Sequence, residues 1–151
     1  MISIERAEMK DNDALQRLYA QLEPDTAPQP ERAEPALTAM LQDPRYHLLV
    51  ARRSEDGAVL GTAMGIICAN LVGGCDPFMV VENVVVEESC RGMGVGKLLM
   101  QEVERIATQE HCVFLCLLSH HSRHAAHAFY RGLGYSGDEA IGFRKWLKTL
   151  A

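Results

Sequence analysis

The stretch "ENVVVEESCRGMGVGKLLM", residues 82–100, joins an apolar run to the start of a helix through three glycines. Gly92, Gly94 and Gly96 stand at alternate positions in this stretch. Glycine loses more backbone freedom on folding than any other residue, so a plain connector would contain one or two of them. Three glycines at such a junction indicate that something approaches the main chain closely.

Two familiar phosphate-binding loops do not fit this stretch. A dinucleotide fingerprint beginning at Gly92 needs a third glycine at position 97, where the chain has Lys97. A P-loop ending in Gly96-Lys97 needs glycine at position 91 and Ser or Thr at position 98, where Arg91 and Leu98 stand. A strand, a glycine loop and a helix start remain. Unpaired N–H groups and the helix dipole suit a phosphate there, while an ordinary glycine turn is the alternative.

Length and composition set broad limits on the class of protein. The 151 residues predict a single domain, residues 1–151, and the net charge of −5 argues against nucleic-acid binding. No apolar run is long enough to span a bilayer, and the first ten residues lack a signal-peptide pattern. The five cysteines form no CxxC pair, so we expect reduced thiols and a cytoplasmic protein.

Hydrophobic periodicity predicts a mixed α/β sheet with hairpins first and helical crossovers later. Strands are predicted at 2–6, 46–53, 58–69, 78–86, 113–118 and 142–150. Helices are predicted from a cap at Asp11 or Asp13, and at 31–41, 95–108 and 124–133. The inner stripe of the third helix is predicted to contain Val95, Leu98, Leu99, Val103 and Ile106.

Two motifs carry a resemblance to a known family. The segment RGMGVG (91–96) is similar to the R/Q-x-x-G-x-G/A motif of the GCN5-related N-acetyltransferase (GNAT) family, which holds the pyrophosphate of acetyl-CoA. The segment AHAFYRGLGY (126–135) is similar to that family's A-x-x-F-Y-x-x-x-G-F/Y signature. The resemblance implies a mixed, mostly antiparallel central sheet with splayed central strands and helices on both faces. It also implies acetyl-CoA as the acyl-donor cosubstrate.

The resemblance leads to a functional expectation. We expect an N-acetyltransferase that moves an acetyl group from acetyl-CoA to a primary amine of a small molecule. A non-catalytic acyl-CoA-binding sensor or scaffold of the same fold is the alternative. RYHLL (45–49) and RHAAHAFYRGLGY (123–135) are more weakly similar to aminoalkylphosphonate N-acetyltransferases. Similar proteins are commonly dimers, so a homodimer is possible, with no nucleic-acid or membrane partner expected.

The resemblance also implies which residues bind acetyl-CoA. The pyrophosphate is expected at the glycine loop and helix start, formed by Arg91, Gly92, Met93, Gly94, Val95, Gly96 and Lys97. The pantetheine arm is expected to bond to the strand backbone at Val84, Val85 and Val86. Many family members have an asparagine after the fifth strand that helps to hold this arm. The present chain has SHHSRH (119–124) there, so His120 or Ser119 is expected to replace it.

Two side chains are candidates for proton transfer. Glu82 lies in an apolar strand and is expected to share a face with Val80, Val84 and Val86, where desolvation suits a base that works near neutrality. An ion pair of purely structural purpose is its alternative role. Tyr130 lies where family members place a tyrosine near the CoA sulfur, so it is expected to protonate the thiolate. A half-buried packing aromatic is its alternative role.

Histidines cluster around the start of the last helix. The spacing of His120 and His124, and of His124 and His127, would allow a shared helix face. No cysteine or carboxylate joins the run, so we expect exposed or substrate-facing histidines and no metal site.

Overall fold

The computed structural model describes residues 1–147 and divides into two compact units, Met1–Cys116 and Leu117–Ala151. They are called the first and the second unit below. Within the described residues, no helix combines the length and the apolar character that crossing a bilayer requires. The single domain over residues 1–151 stays a prediction.

The first unit contains five strands and three α-helices. The strands are β1 (Ile2–Arg6), β2 (Tyr46–Arg53), β3 (Val59–Cys68), β4 (Phe78–Val86) and β5 (Leu115–Cys116). The helices are α1 (Asn12–Leu22), α2 (Pro30–Gln42) and α3 (Val95–Gln109), with short 3-10 turns at Met9–Asp11 and Glu88–Cys90. The second unit contains α4 (His124–Gly132).

Two predicted strands differ from the structure. The strand predicted at 113–118 is reduced to the two residues of β5. The strand predicted at 142–150 is absent from residues 142–147, and residues 148–150 lie outside the described residues. Phe143 and Leu147 are 88% and 90% exposed. These apolar side chains therefore form no buried face, and a strand of alternating apolar residues is stabilised by packing such a face.

The sheet has the order β1-β2-β3-β4-β5. The first three pairings are antiparallel and only β4 and β5 run parallel, which confirms the mostly antiparallel sheet. Helices α1 and α2 cover one face, where the core contains Leu15, Leu18, Leu37, Leu48, Val50 and Met64. Helix α3 covers the other face through Val95, Leu99, Met100, Val103 and Ile106. Leu98, predicted on that inner stripe, is 39% exposed and lies outside it.

A close approach at Gly61 fixes the start of α3 against the sheet. A Cβ at this position would lie 3.0 Å from the Val85 carbonyl oxygen, 3.2 Å from Leu99 and 3.3 Å from Val95. A side chain here would crowd the β4 main chain and the first two turns of α3, so glycine suits this close packing of α3 on β3. Helix α3 therefore begins directly beside the end of β4.

A polar cluster ties α1 to the end of β4. The Glu87 carboxylate accepts hydrogen bonds from Gln21 at 2.8 Å and from Arg17 at 3.2 Å. The hydrogen bond from Gln21 is the largest cause of a lowered pKa at Glu87, and Arg17 adds to it. The Glu88 N–H also donates to the Gln21 side-chain oxygen, at 3.0 Å. These hydrogen bonds fix residues 87 and 88, which join β4 to the glycine loop, against α1.

Candidate functional site

A β-bulge interrupts β4 beside the predicted base. The pairing runs from Met64 opposite Glu82 to Thr62 opposite Val85, so two β4 residues, Asn83 and Val84, face one residue of β3. Asn83 has φ +54°, in the left-handed region that Asn tolerates better than most side chains. A bulge bends its strand and increases the local twist. It therefore turns the second half of β4 out of the regular ladder.

The bulge changes which β4 side chains share a face. Glu82 lies on the same face as Val80, because both pair with β3 residues of that face, Met64 and Ile66. After the extra residue, Val85 occupies that face and packs in the core beneath α1 and α2. The prediction that Glu82 shares its face with Val84 and Val86 is therefore wrong, since a one-residue slip reverses the alternation.

One edge of β4 is open beyond its first residues. Strand β5 pairs only with Met79 and Val80, and the Met79 N–H donates to the Phe114 carbonyl at 3.0 Å. None of the described strands pairs with Val81–Val86 on this side. An unpaired edge presents main-chain N–H and C=O groups that a ligand can bind. The pairing of β4 with β5 therefore ends at Val80, and the splay that the resemblance implied stays a prediction.

The hydrogen bonds at the end of β4 show which residues face this open edge. The Glu87 N–H donates to the Leu60 carbonyl at 2.8 Å, towards β3. Main-chain groups alternate in direction along a regular antiparallel strand, so Val85 also points to β3, while Val86 and the carbonyl of Val84, which lies in the peptide next to Val85, point to the open edge. The Val86 carbonyl accepts from Arg91 Nε at 3.3 Å, in agreement with this direction. Of the three valines predicted to bind pantetheine, Val84 and Val86 have suitably directed main chains.

The glycine loop follows β4 and leads into α3. Gly92 has φ +77° and Gly94 has φ +82°, so both adopt a backbone conformation that side chains disfavour. Between them Met93 is 67% exposed, whereas Val95, the first residue of α3, is only 1% exposed. Conformation therefore explains two of the three glycines. Gly96 lies inside the first turn of α3 and needs another reason.

The first turn of α3 has the properties of an anion site. The first intrahelical bond runs from the Leu98 N–H to the Gly94 carbonyl at 3.1 Å, so the N–H groups of residues 95–97 have no carbonyl one turn earlier in the helix. No acidic residue lies in this turn, and Lys97 is exposed within it. A cation is unfavourable at the positive end of a helix dipole unless an anion binds there. Arg91 adds a second exposed cation beside the loop.

Glu82 lies half-buried on β4, diagonal to Cys116 on β5. Partial burial raises the pKa of the Cys116 thiol, and the charges of Cys68 and Glu82 raise it further. Glu82 is two residues along β4 from Val80, the pairing partner of Cys116. A carboxylate next to an open strand edge can accept a proton from a nucleophile that approaches this edge.

Tyr130 belongs to the second unit, on α4. Its ring makes edge contacts with Phe129 at 5.2 Å and with Tyr135 at 5.9 Å between centroids. Its carbonyl accepts from the N–H groups of Leu133 and Tyr135 at 3.0 and 3.1 Å. The turn that returns the chain to Tyr135 passes through Gly134 at φ +92°. The A-x-x-F-Y-x-x-x-G-F/Y signature thus forms one helix end that fixes the tyrosine.

His120 lies before α4 and is exposed. Its Nδ1 accepts the Ser122 N–H at 3.3 Å and lies 2.7 Å from the Ser122 hydroxyl. Because Nδ1 is the acceptor, Nε2 carries the proton and is the donor nitrogen. The His120 carbonyl lies 3.0 Å from His127 Nε2. His120 therefore offers the kind of donor that an asparagine side chain would supply.

The histidines near α4 are grouped in pairs. The closest ring pairs are His120 with His121 at 4.3 Å and His124 with His127 at 6.0 Å. Within residues 1–147, no three His, Cys, Asp or Glu side chains are grouped so that they could hold a metal ion.

The comparisons with known proteins define the class. The sequence model of the acetyltransferase (GNAT) family matches residues 12–135, so the chain belongs to this family. A search of curated protein sequences found no match. A protein from Agrobacterium tumefaciens str. C58, described as a candidate acetyltransferase, is similar over its full fold. It is 30% identical with a TM-score of 0.87, and the match covers 95% of this chain and 99% of that protein.

More distant solved structures share the fold. Glucosamine-6-phosphate N-acetyltransferase from Arabidopsis thaliana is 19% identical, with a TM-score of 0.84 and coverage of 98% of this chain and 99% of that one. An aminoglycoside N-acetyltransferase in complex with CoA is 23% identical, with a TM-score of 0.81 and coverage of 98% and 96%. The predicted family, the fold and acetyl-CoA as acyl donor are confirmed. The chain is an acyltransferase.

Two residues of the site were not singled out from the sequence. Asn83 forms the bulge, and its signal was an Asn inside an otherwise apolar strand, where this residue is depleted. Gly61 lets α3 pack closely on the sheet, and an isolated glycine inside a strand pattern is the sequence signal for such a close approach.

Proposed function

We propose that this chain transfers the acetyl group of acetyl-CoA to the primary amine of a small molecule. The observation that carries the proposal is the continuity of three features. The open edge of β4 carries the outward main chains of Val84 and Val86 and leads through Arg91 into the glycine loop. The loop ends at the start of α3. An extended ligand with a phosphate at one end fits this arrangement.

The pyrophosphate would bind at the helix start. The N–H groups of residues 95–97 supply donors, and Lys97 and Arg91 supply charge. The absence of a side chain at Gly96 lets the diphosphate contact the main chain of the first turn. Gly92 and Gly94 provide the backbone path that brings α3 to this position.

The pantetheine arm would run back along the open edge. Val86 and the Val84 carbonyl offer outward main-chain groups to its amides, in the place that a neighbouring strand would take. The acyl end then lies towards Asn83 and Glu82, one to two residues beyond Val84. An outward N–H in this segment can donate to the thioester carbonyl and stabilise the oxyanion that forms during attack.

Glu82 and Tyr130 would handle the two protons of the reaction. The amine nitrogen forms a bond to the acyl carbon while the carbon–sulfur bond breaks. Glu82 accepts the proton that the amine loses, directly or through a water molecule. Tyr130 donates a proton to the departing thiolate, and His120 supplies a hydrogen-bond donor to the arm through Nε2.

Release of free CoA thiol on mixing acetyl-CoA with a panel of primary amines tests this proposal. Catalysis predicts release that depends on the amine, together with an acetylated product in the mass spectrum. Tight binding of acetyl-CoA without release for any amine would favour the sensor or scaffold of the same fold. The cytoplasmic location, the single domain and the homodimer remain proposals; the five free thiols are consistent with a reducing compartment.

A further inference from the structure

The sheet face beneath α1 and α2 is partly exposed towards β5. Six side chains meet there and are called the outer patch: Ile66, Phe78, Val80, Glu82, Phe114 and Cys116. Val80 lies opposite Ile66 of β3 and opposite Cys116 of β5. Side chains two residues apart on a strand share a face, which adds Phe78, Glu82 and Phe114. The outer patch is therefore one continuous surface.

The outer patch is apolar except at one end. Phe78 and Phe114 stack with centroids 5.1 Å apart and planes at 18°, and Phe114 leaves 49% of its surface exposed. Val80 and Ile66 are half-buried beside them. Among the six side chains of the patch, Glu82 is the only carboxylate. Such a surface matches a ligand with one cationic end and an apolar body.

The loop between β3 and β4, which ends at Phe78 of the patch, contains two exposed apolar side chains. This loop, residues 69–77, leaves the sheet next to Phe78. Leu71 and Val72 in the loop are 91% and 78% exposed. Two adjacent apolar side chains so fully in water, in a loop that ends at Phe78, are surface that an apolar ligand can cover.

We propose that the outer patch is the acceptor site and that its substrate is a primary arylalkylamine. The amine lies at Glu82 and the ring lies against Phe78 and Phe114. The inference rests on the proposed N-acetyltransferase function and narrows its acceptor class. Phe78 and Glu82 are four residues apart on β4, roughly 13 Å for a strand rise of about 3.3 Å per residue. A spacer of several methylenes between ring and nitrogen suits this distance.

A polycationic amino sugar fits the patch poorly. Several ammonium groups need several carboxylates around them, and the patch supplies one. Glu23, Asp25 and Glu31 are exposed on the chain around the start of α2, and none belongs to the outer patch. An acceptor that binds to those three carboxylates would be recognised by its charge and not by apolar contact.

A substrate series on the full chain tests the inference. The kcat/KM values for 4-phenylbutylamine, n-butylamine and neamine are measured with saturating acetyl-CoA. We expect 4-phenylbutylamine to exceed n-butylamine by roughly tenfold or more through KM, because burial of one ring contributes at least that factor. Phe114→Ala should remove most of this ratio. Val113→Ala, at the exposed neighbour that precedes Phe114, should keep it.

The outcomes separate this inference from the proposed function. Acetylation of n-butylamine or neamine without preference for the ring overturns the arylalkylamine acceptor and leaves the acetyltransferase proposal intact. Acetylation of no amine overturns both. An unchanged ratio in Phe114→Ala, with thermal unfolding like that of the wild type, assigns the preference to another surface and overturns the patch.

Discussion

Gly96 offers the cleanest test of the pyrophosphate site. It lies in the first turn of α3, and its place in a regular helix lets a side chain be added without forcing the backbone into the left-handed region. Gly92 and Gly94, at φ +77° and +82°, lack this advantage, because a side chain there adds backbone strain of about 1–3 kcal/mol. Gly96→Val should instead leave the free energy of unfolding within about 0.5 kcal/mol of wild type, since valine is a slightly better helix former than glycine.

The expected loss of affinity follows from the donors at the helix start. A valine side chain at position 96 keeps the diphosphate away from the N–H groups of the first turn. A hydrogen bond to a charged group contributes about 1.5–3 kcal/mol, so the loss of two weakens acetyl-CoA binding by about a hundredfold or more. Gly96→Ala is the matched control, because the family motif admits alanine here, and it should bind within about tenfold of wild type.

Calorimetry with two ligands measures this effect. Acetyl-CoA should bind Gly96→Val much more weakly than wild type. S-acetylpantetheine, which lacks the pyrophosphate, should bind both proteins alike. A folded Gly96→Val protein with wild-type affinity for acetyl-CoA would refute the reasoning, because the third glycine would then have no part in phosphate binding.

Substitutions at four further positions test other parts of the site and the fold. Glu82→Gln should lower kcat/KM while acetyl-CoA affinity stays near wild type; a wild-type kcat/KM would exclude Glu82 as the base. Tyr130→Phe should lower kcat by roughly tenfold to a thousandfold, and wild-type turnover would leave Tyr130 as a packing residue. His120→Ala should weaken acetyl-CoA binding and His120→Asn should restore it, because asparagine supplies the same kind of donor; equal affinities would remove His120 from the site. Glu87 has a lowered pKa, so its stabilising contribution is complete above its ordinary value of 4.5 and is lost as the pH falls through the lowered value. Denaturant unfolding of Glu87→Gln should therefore show a deficit of less than about 1 kcal/mol at pH 7 that disappears in acid, and a deficit independent of pH would contradict this.

The sequence predicted the long elements well because each has a strong local signal. The continuous apolar run of β4 and the apolar stripe of α3 are strong local signals, and the structure begins and ends both elements within a residue of the prediction. The glycine loop could also be predicted from the sequence, because alternate glycines before a helix have few structural uses.

The details that shape the site depend on contacts between strands. The bulge at Asn83 is set by the register with β3, which no local period reveals, so the side-chain faces after it were assigned wrongly. The apolar run at 113–118 has the composition of a buried strand, but only residues 115 and 116 pair with β4. The early end of the β4–β5 pairing is therefore visible only in the structure.

Backbone amide shifts in NMR spectra recorded with and without acetyl-CoA test the central claim most directly. The claim is that the open edge of β4 and the glycine loop form one binding surface. It predicts that the largest shift changes occur at the amides of Val84, Val86 and residues 92–97, while Val85, directed to β3, changes less. Saturating acetyl-CoA that leaves these amides unchanged and shifts a different set would contradict the account.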